Sequence, residues 1–277
     1  MKKVGFIDYF LDEWHANNYP EMLLENSNGE YKACYAYGKI DGPNGKMTNK
    51  EWAQKFGIEL LDTIEEVVEK SDVLIVLSPD NPEFHEELTD LPLKSGKPLY
   101  VDKTFAPDKE TAIRIFEKAK KYNTPCFSSS ALRFADEFSE IDTSKIYKII
   151  SEGPDYFEKY VIHQVEPIVL LMKTRAKRIM GLGDLMHPSL IIEFEDGRLV
   201  QIRHGLETDF RFTVADEQNN EVHYTLSSSY FKNFVKAMIK FFDTGKVPVS
   251  PEETIDIVAI CSAGKKALDN PFVWIEL

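Results

Sequence analysis

The sequence predicts an α/β protein: a doubly wound parallel sheet, followed by an α+β half built on an open, mostly antiparallel sheet. Two observations carry this. From residue 1 to about 130, short apolar runs alternate with amphipathic stretches, the pattern of βαβ units feeding a parallel sheet. After about residue 143, long alternating segments appear, several joined by tight turn signals, as an antiparallel sheet with one covered face requires. The boundary is placed at Asp142, giving domains of residues 1–142 and 143–277 with no linker or repeat between them. A chain of 277 residues, 43% of them hydrophobic, has enough apolar surface for two modest cores.

Taken in order, Lys3 to Asp8, Ala33 to Tyr37, Val73 to Leu77, Leu99 to Val101 and Cys126 to Ser128 read as strands. Thr63 to Lys70, Glu83 to Leu93 and Asp108 to Tyr122 read as helices between them. The last has Pro107 at its start and Ala112, Ile113, Phe116 and Ala119 on one face. In the second half, Leu190 to Phe194 and Leu199 to Arg203 flank the turn Glu195-Asp196-Gly197-Arg198. Phe210, Phe212 and Val214 alternate, Glu217 to Asn220 turns the chain, and Val222, Tyr224 and Leu226 alternate again. Helical periods cover Tyr160 to Met172, Tyr230 to Phe242 and Pro251 to Leu268, and a closing strand runs from Phe272 to Leu277.

Charge and composition exclude several classes. With 46 acidic against 33 basic side chains the formal charge is -13, which repels a polyanion such as DNA. No stretch approaches the roughly 20 apolar residues of a membrane span, and Met1-Lys2-Lys3-Val4 leads straight into a strand. A cytoplasmic protein without membrane or nucleic-acid partners is the expectation. Cys34, Cys126 and Cys261 are far apart and set among apolar residues, which fits reduced core thiols.

Three segments, in order, resemble the glucose-fructose oxidoreductase, inositol dehydrogenase and rhizopine-catabolism (Gfo/Idh/MocA) superfamily. Asp72-Val73-Leu74-Ile75-Val76-Leu77-Ser78-Pro79-Asp80, followed by His85, is similar to the family's strand and Thr-Pro-Asn type turn beneath the nicotinamide ribose. Gly96-Lys97-Pro98-Leu99-Tyr100-Val101-Asp102-Lys103-Thr104 is similar to its Glu-Lys-Pro signature. Ser130-Ala131-Leu132-Arg133-Phe134 resembles the Asn-x-Arg-Phe segment at the passage to the substrate domain. The likeness runs through nearly the whole chain.

The resemblance implies an oxidoreductase using NAD or NADP on a sugar-, polyol- or hydroxyacid-like substrate, assembled as a homodimer or homotetramer through the C-terminal sheet. It implies Lys103 and His163 as catalytic groups. An ammonium at the carboxyl end of a parallel strand sits where such sheets bind ligands, and lowers the pKa of a substrate hydroxyl as hydride leaves. His163, in Tyr160-Val161-Ile162-His163-Gln164-Val165-Glu166, matches the histidine of an Asp-x-Gly-x-His-x-x-Asp run that passes the substrate proton. Glu166 stands for the second aspartate, but Lys159 and Val161 replace the first aspartate and the glycine. A charge reversal at Lys159 favours the opposite protonation state of its neighbour. Substrate contacts are implied at Lys103, Arg133, Lys159, His163 and Glu166. Cofactor contacts are implied at Ile7, Asp8, Phe10, Tyr37, Ser78, Pro79, Asp80, His85, Asp102 and Lys103.

The first loop departs from the family. A dinucleotide-binding turn uses glycines because the backbone must approach the pyrophosphate closely. Here the three glycine positions fall on Asp8, Phe10 and Glu13, and Tyr37-Gly38-Lys39 lacks the acidic residue that holds the adenine ribose. Carboxylates of Asp8, Asp12 and Glu13 at a helix start oppose a bound phosphate. Two readings therefore stand: a dinucleotide held in a shifted pose, with Lys39 near a 2′-phosphate as one form of it, or a binding, regulatory or differently catalytic relative that no longer binds one. Asp8, Asp12, Glu13 and His15, with His85, offer metal-ligand types, but their spacing is not diagnostic. Charge complementarity at a helix N-terminus is the plainer account, and no metal is assigned.

Overall fold

The computed structural model describes residues 1–277, which divide into two compact units. The first comprises residues 1–129 and 234–251; the second comprises residues 130–233 and 252–277. The division falls earlier than Asp142, and it is discontinuous. The reason lies in helix α7 (Tyr230–Thr244), whose buried Phe234, Met238, Phe241 and Phe242 belong to the first core. Phe234 meets Tyr19 and Tyr100, Phe241 meets Phe127, and Phe242 meets Tyr31, at ring-centroid distances of 4.7–6.3 Å.

The first unit is a six-stranded parallel sheet in the order β3-β2-β1-β4-β5-β6. Its strands are β1 (Lys2–Asp8), β2 (Tyr31–Gly38), β3 (Glu59–Leu60), β4 (Val73–Val76), β5 (Leu99–Val101) and β6 (Cys126–Phe127). The chain steps outward from β1 to β3 and returns to β4, so the strand order reverses between β1 and β4, where open α/β sheets bind ligands. β4 and β5 are buried at every residue, which is why they read as unbroken apolar runs.

Helices α1 (Trp14–Asn26), α2 (Asn49–Phe56), α3 (Ile64–Lys70), α4 (His85–Leu88) and α5 (Lys109–Lys121) complete this unit. Thr48 and Glu51 form a reciprocal capping box on α2, and Gly57 ends it at φ 62°. Asp108 caps α5 by accepting the Thr111 N–H at 2.8 Å. The helix expected over Glu83 to Leu93 is broken into a 3₁₀ turn (Pro82–Phe84), the single turn α4, and a second 3₁₀ turn (Pro92–Lys94). Pro92 has no N–H to continue the ladder, and the Thr89 hydroxyl bonds back to the His85 carbonyl at 2.6 Å.

The second unit holds a seven-stranded sheet in the order β12-β11-β7-β10-β9-β8-β13. These are β7 (Lys148–Gly153), β8 (Ala176–Gly181), β9 (Ser189–Phe194), β10 (Leu199–His204), β11 (Arg211–Ala215), β12 (Glu221–Thr225) and β13 (Trp274–Glu276). Only β7 and β10 pair in parallel. Helices α6 (Phe157–Met172) and α8 (Pro251–Asp269) share one apolar core with the inward residues of the sheet. β10 alternates exposed and buried at every step, the signature of a sheet covered on one face. Gly181 is required by close approach: a Cβ there would lie 2.3 Å from the Ala267 carbonyl oxygen of α8.

Candidate active site

In the first unit, the carboxyl ends of β1, β4 and β5 and the start of α1 bring Asp8, Glu13, His15, Ser78, Asp102 and Lys103 into one neighbourhood. The loop after β1 replaces glycine flexibility with side-chain ties. Leu11 N–H donates to Asn49 Oδ1 at 3.0 Å, while the Asn49 amide donates to the carbonyls of Gly38 and Ile40. Gly38 has no side chain because Asn49 takes that space, 2.4 Å from where a Cβ would be. Asp12 accepts the Met47 N–H at 2.8 Å and the Asn17 amide at 2.9 Å. Above this loop the Tyr9 ring stacks on Phe84 with centroids 4.0 Å apart, joining the segments that follow β1 and β4.

Three carboxyl groups lie here, in different states. Asp102 is fully buried; it accepts the Lys103 N–H at 2.8 Å and the Tyr100 hydroxyl at 3.0 Å. Its Oδ2 lies 2.5 Å from His15 Nδ1. Burial alone would raise the Asp102 pKa; the His15 and Lys103 charges outweigh it and hold the group below the usual carboxylate value. Asp8 is the opposite case. It too is fully buried, its Oδ1 accepts the Tyr9 N–H at 2.7 Å, and its Oδ2 has no hydrogen-bond partner. Burial first, then the nearby charges of Glu13 and Asp102, push its pKa well above the ordinary value. Burial raises the Glu13 carboxyl as well, against the pull of Lys46 and with the push of Asp80. Glu13 stands at the N-cap of α1 and makes no capping bond with its side chain.

Lys103 is 8% exposed at the end of β5, and its ammonium makes no hydrogen bond or ion pair. Ser78 is buried with a left-handed backbone (φ 78°), Pro79 is buried, and Asp80 is exposed. Tyr37 is half-buried at the end of β2.

Some expected contacts are redirected by the fold. Ile7 is a core residue whose carbonyl accepts the Leu77 N–H at 2.8 Å, so its side chain does not meet a ligand. The fully buried His85 has its ring nitrogens 2.6 Å and 3.0 Å from the Leu77 and Phe105 carbonyls; burial lowers its pKa, and the neutral ring braces the turn after β4. Lys39 is held by Glu87 and lies 5.0 Å from the Phe84 ring centroid, which removes it as a free cation for a 2′-phosphate. No group of three or more His, Cys, Asp or Glu side chains is arranged to hold a metal. Asp12 is turned to Met47 and Asn17, and His85 to carbonyls, which dissolves the candidate cluster.

In the second unit, His163 lies on α6 with Nδ1 2.7 Å from Ser130 Oγ, its ring edge-on to Tyr160 and Phe210. Arg133 contacts Glu166 at 3.4 Å and Glu253 at 2.9 Å. Lys159 is exposed on the first turn of α6. The His15–Asp102 pair and the Tyr9–Phe84 stack were not read from the sequence. His15 and Asp102 are far apart in the chain, and only parallel-sheet topology puts the start of α1 beside the end of β5.

A family profile described as "Oxidoreductase family, NAD-binding Rossmann fold" matches residues 41–130. The match begins after the first loop. Inositol 2-dehydrogenase of Corynebacterium glutamicum (strain R) is 24% identical over 190 residues, covering 58% of this chain and 56% of that protein. The chain thus spans little more than half the length of that relative. Among solved structures, myo-inositol dehydrogenase from Lactobacillus casei in complex with NAD(H) and myo-inositol aligns with TM-score 0.81 and 14% identity, over 100% of this chain and 97% of the other. A probable dehydrogenase from Thermotoga maritima aligns with TM-score 0.79 and 16% identity, over 99% and 98%.

The fold is therefore one shared with NAD-binding dehydrogenases, and the loop after β1 can be tested for fit to a dinucleotide. Diphosphate sites use glycine turns and uncapped helix N–H groups. The α1 N-terminus is free of a side-chain cap, but Asp8 and Glu13 fit a diphosphate only as neutral acids, because ionised carboxylates there would repel it. The ends of β4 and β5 keep the residues of the two signatures in place. Signature order, the matched segment and the two-unit architecture agree: the chain has the fold of the Gfo/Idh/MocA oxidoreductases and resembles that superfamily over residues 41–130.

Proposed function

We propose that this protein is an NAD-dependent oxidoreductase acting on a small hydroxylated substrate of the sugar, polyol or hydroxyacid kind. The observation that carries the reading is Lys103: an ammonium 8% exposed, at the carboxyl end of a parallel strand, that feels the Asp102 charge but makes no hydrogen bond or ion pair. A buried cation left unpaired is costly, so such a group is retained where a ligand supplies the partner. Lys103 donates a hydrogen bond to the substrate oxygen, which stabilises the negative charge that develops there. His163, steered through Nδ1 by Ser130, is the proposed acceptor of the hydroxyl proton. A bound nicotinamide would supply the hydride acceptor. The relatives that bear inositol dehydrogenase names make cyclic polyols the first substrates to try.

The test is a fluorescence titration with NADH and with NADPH, followed by NADH formation from NAD⁺ and myo- or scyllo-inositol. Saturable binding with NADH tighter than NADPH is expected, because Lys39 is already paired with Glu87. A chain that binds neither cofactor is no dehydrogenase. A second reading, a relative that has given up the dinucleotide, is favoured by the Tyr9–Phe84 stack bridging the segments after β1 and β4, and that negative result would support it. Self-association through the exposed face of the second sheet belongs to the same proposal; sedimentation equilibrium should show a dimer or tetramer, and a monomer at all concentrations would remove it.

A further inference from the structure

Asp102 and Lys103 are neighbours in the chain at the end of β5, a carboxylate beside an ammonium, and yet the two side chains do not pair. Both oxygens of the carboxylate face other groups. Oδ1 accepts the Lys103 N–H at 2.8 Å and the Tyr100 hydroxyl at 3.0 Å. Oδ2 is in contact with His15 Nδ1 at 2.5 Å, which leaves no room for a third group between them. The imidazole is held in turn: it stacks on the Tyr19 ring with centroids 5.1 Å apart, and Trp14 meets it edge-on at 5.2 Å. Asp102 and Tyr100 are fully buried, and His15 is 9% exposed. Opposite charges attract far more strongly in such surroundings than in water. Without His15, Asp102 Oδ2 would be the carboxylate oxygen open to the cation that follows it in the chain.

We propose that His15 is a positioning residue for Lys103: by occupying Asp102 Oδ2 it keeps that carboxylate from capturing the neighbouring ammonium, which therefore stays available to the substrate oxygen. The inference rests on the role given to Lys103 in the oxidoreductase reading above. His15 acts through Asp102, and no covalent step is involved. The arrangement explains why a buried anion next in sequence to the candidate catalytic cation does not neutralise it. The other titratable groups of this neighbourhood, Asp8 at the end of β1, Glu13 at the N-cap of α1 and His85 on α4, are left in place by the variants below, so a change in Lys103 reports on Asp102.

The experiment follows the titration of the Lys103 side chain by NMR, in protein carrying lysine isotopically labelled at Cε, with the Lys103 signal assigned by its loss in Lys103→Arg. Turnover and the NADH dissociation constant are measured alongside. His15→Phe keeps a ring to stack on Tyr19 and removes the nitrogen from Asp102. His15→Asn places an amide N–H group where Nδ1 stood. In His15→Phe the Lys103 titration should move up by about one pH unit or more, as the freed carboxylate holds the ammonium. Its kcat should fall about tenfold to a hundredfold, with KM and the NADH dissociation constant within a factor of a few of wild type. His15→Asn should restore both the titration and most of kcat. Adding Asp102→Asn to His15→Phe should raise kcat above that of His15→Phe alone, because the captor is gone; a merely structural role for His15 would make the two losses add. His15→Leu carries the same comparison if the His15→Phe chain does not fold. A Lys103 signal that titrates alike in wild type and in the variant lacking the imidazole overturns the proposal and leaves the oxidoreductase reading intact. A loss of kcat that neither His15→Asn nor the added Asp102→Asn relieves also overturns it. The titration needs neither cofactor nor substrate: in a chain without dehydrogenase activity the oxidoreductase reading falls, and the NMR result still decides whether His15 shields the ammonium.

Discussion

Lys103→Met is expected to lower kcat by about a hundredfold to ten-thousandfold while the NADH dissociation constant changes little, because its ammonium is proposed to act on the substrate oxygen rather than to hold the cofactor. Methionine keeps the length and the apolar stem, so the end of β5 retains its packing. Urea unfolding of the variant is a second readout that separates chemistry from collapse: removing the ammonium relieves its own burial but takes a favourable charge from Asp102, so the midpoint should shift little. Lys103→Arg should recover little, since a guanidinium is larger and spreads its charge over a planar fork. The measurement is steady-state oxidation of whichever polyol the wild type accepts, with cofactor fluorescence in parallel. A Lys103→Met enzyme with turnover within a factor of a few of wild type would remove Lys103 from the reaction.

Arg133→Met is expected to cost about 3–5 kcal/mol of stability, seen as a lower midpoint of urea unfolding. The Arg133 side chain is 6% exposed and its partners Glu166 and Glu253 are 3% and 30% exposed. Removing the guanidinium takes an opposite charge away from Glu166, an acid with almost no access to water, on a helix packed into the second core. The Glu166→Gln change should be tolerated better on the Arg133→Met background than on wild type, since the charge that needs a partner is then gone. An Arg133→Met protein of unchanged stability but raised KM would point instead to direct contact with substrate, the role the family likeness implies.

The legible part of the fold was the part dictated by period. Strands buried on both faces, such as Val73–Val76, show as unbroken apolar runs, and the one-sided β9 and β10 show as alternation around a Gly197 turn at φ 84°. What failed was local competition: Pro92 and the Thr89 hydroxyl cut an apparently continuous helix into three short turns. Helix α2, by contrast, announced itself in the Thr48–Glu51 capping box, a signal that reading by apolar period passed over. The site shows the same split. Lys103 and His163 stand out by position within signatures, whereas the commitments of His85, Lys39 and Arg133 to protein partners depend on residues distant in the chain.

By itself, the sequence determined the class of architecture, the strand ends that carry the candidate chemistry, and the absence of glycines from the first loop, because each follows from residue type and short-range spacing. Tertiary structure alone decided where the units divide, since α7 finds its aromatic partners in the first core long after the chain has left it. It alone decided the protonation pattern too. Asp8, Glu13 and Asp102 are three ordinary acids in the sequence; burial raises the pKa of Asp8 and Glu13, while the placement of His15 and Lys103 beside Asp102 holds that group below the usual carboxylate value.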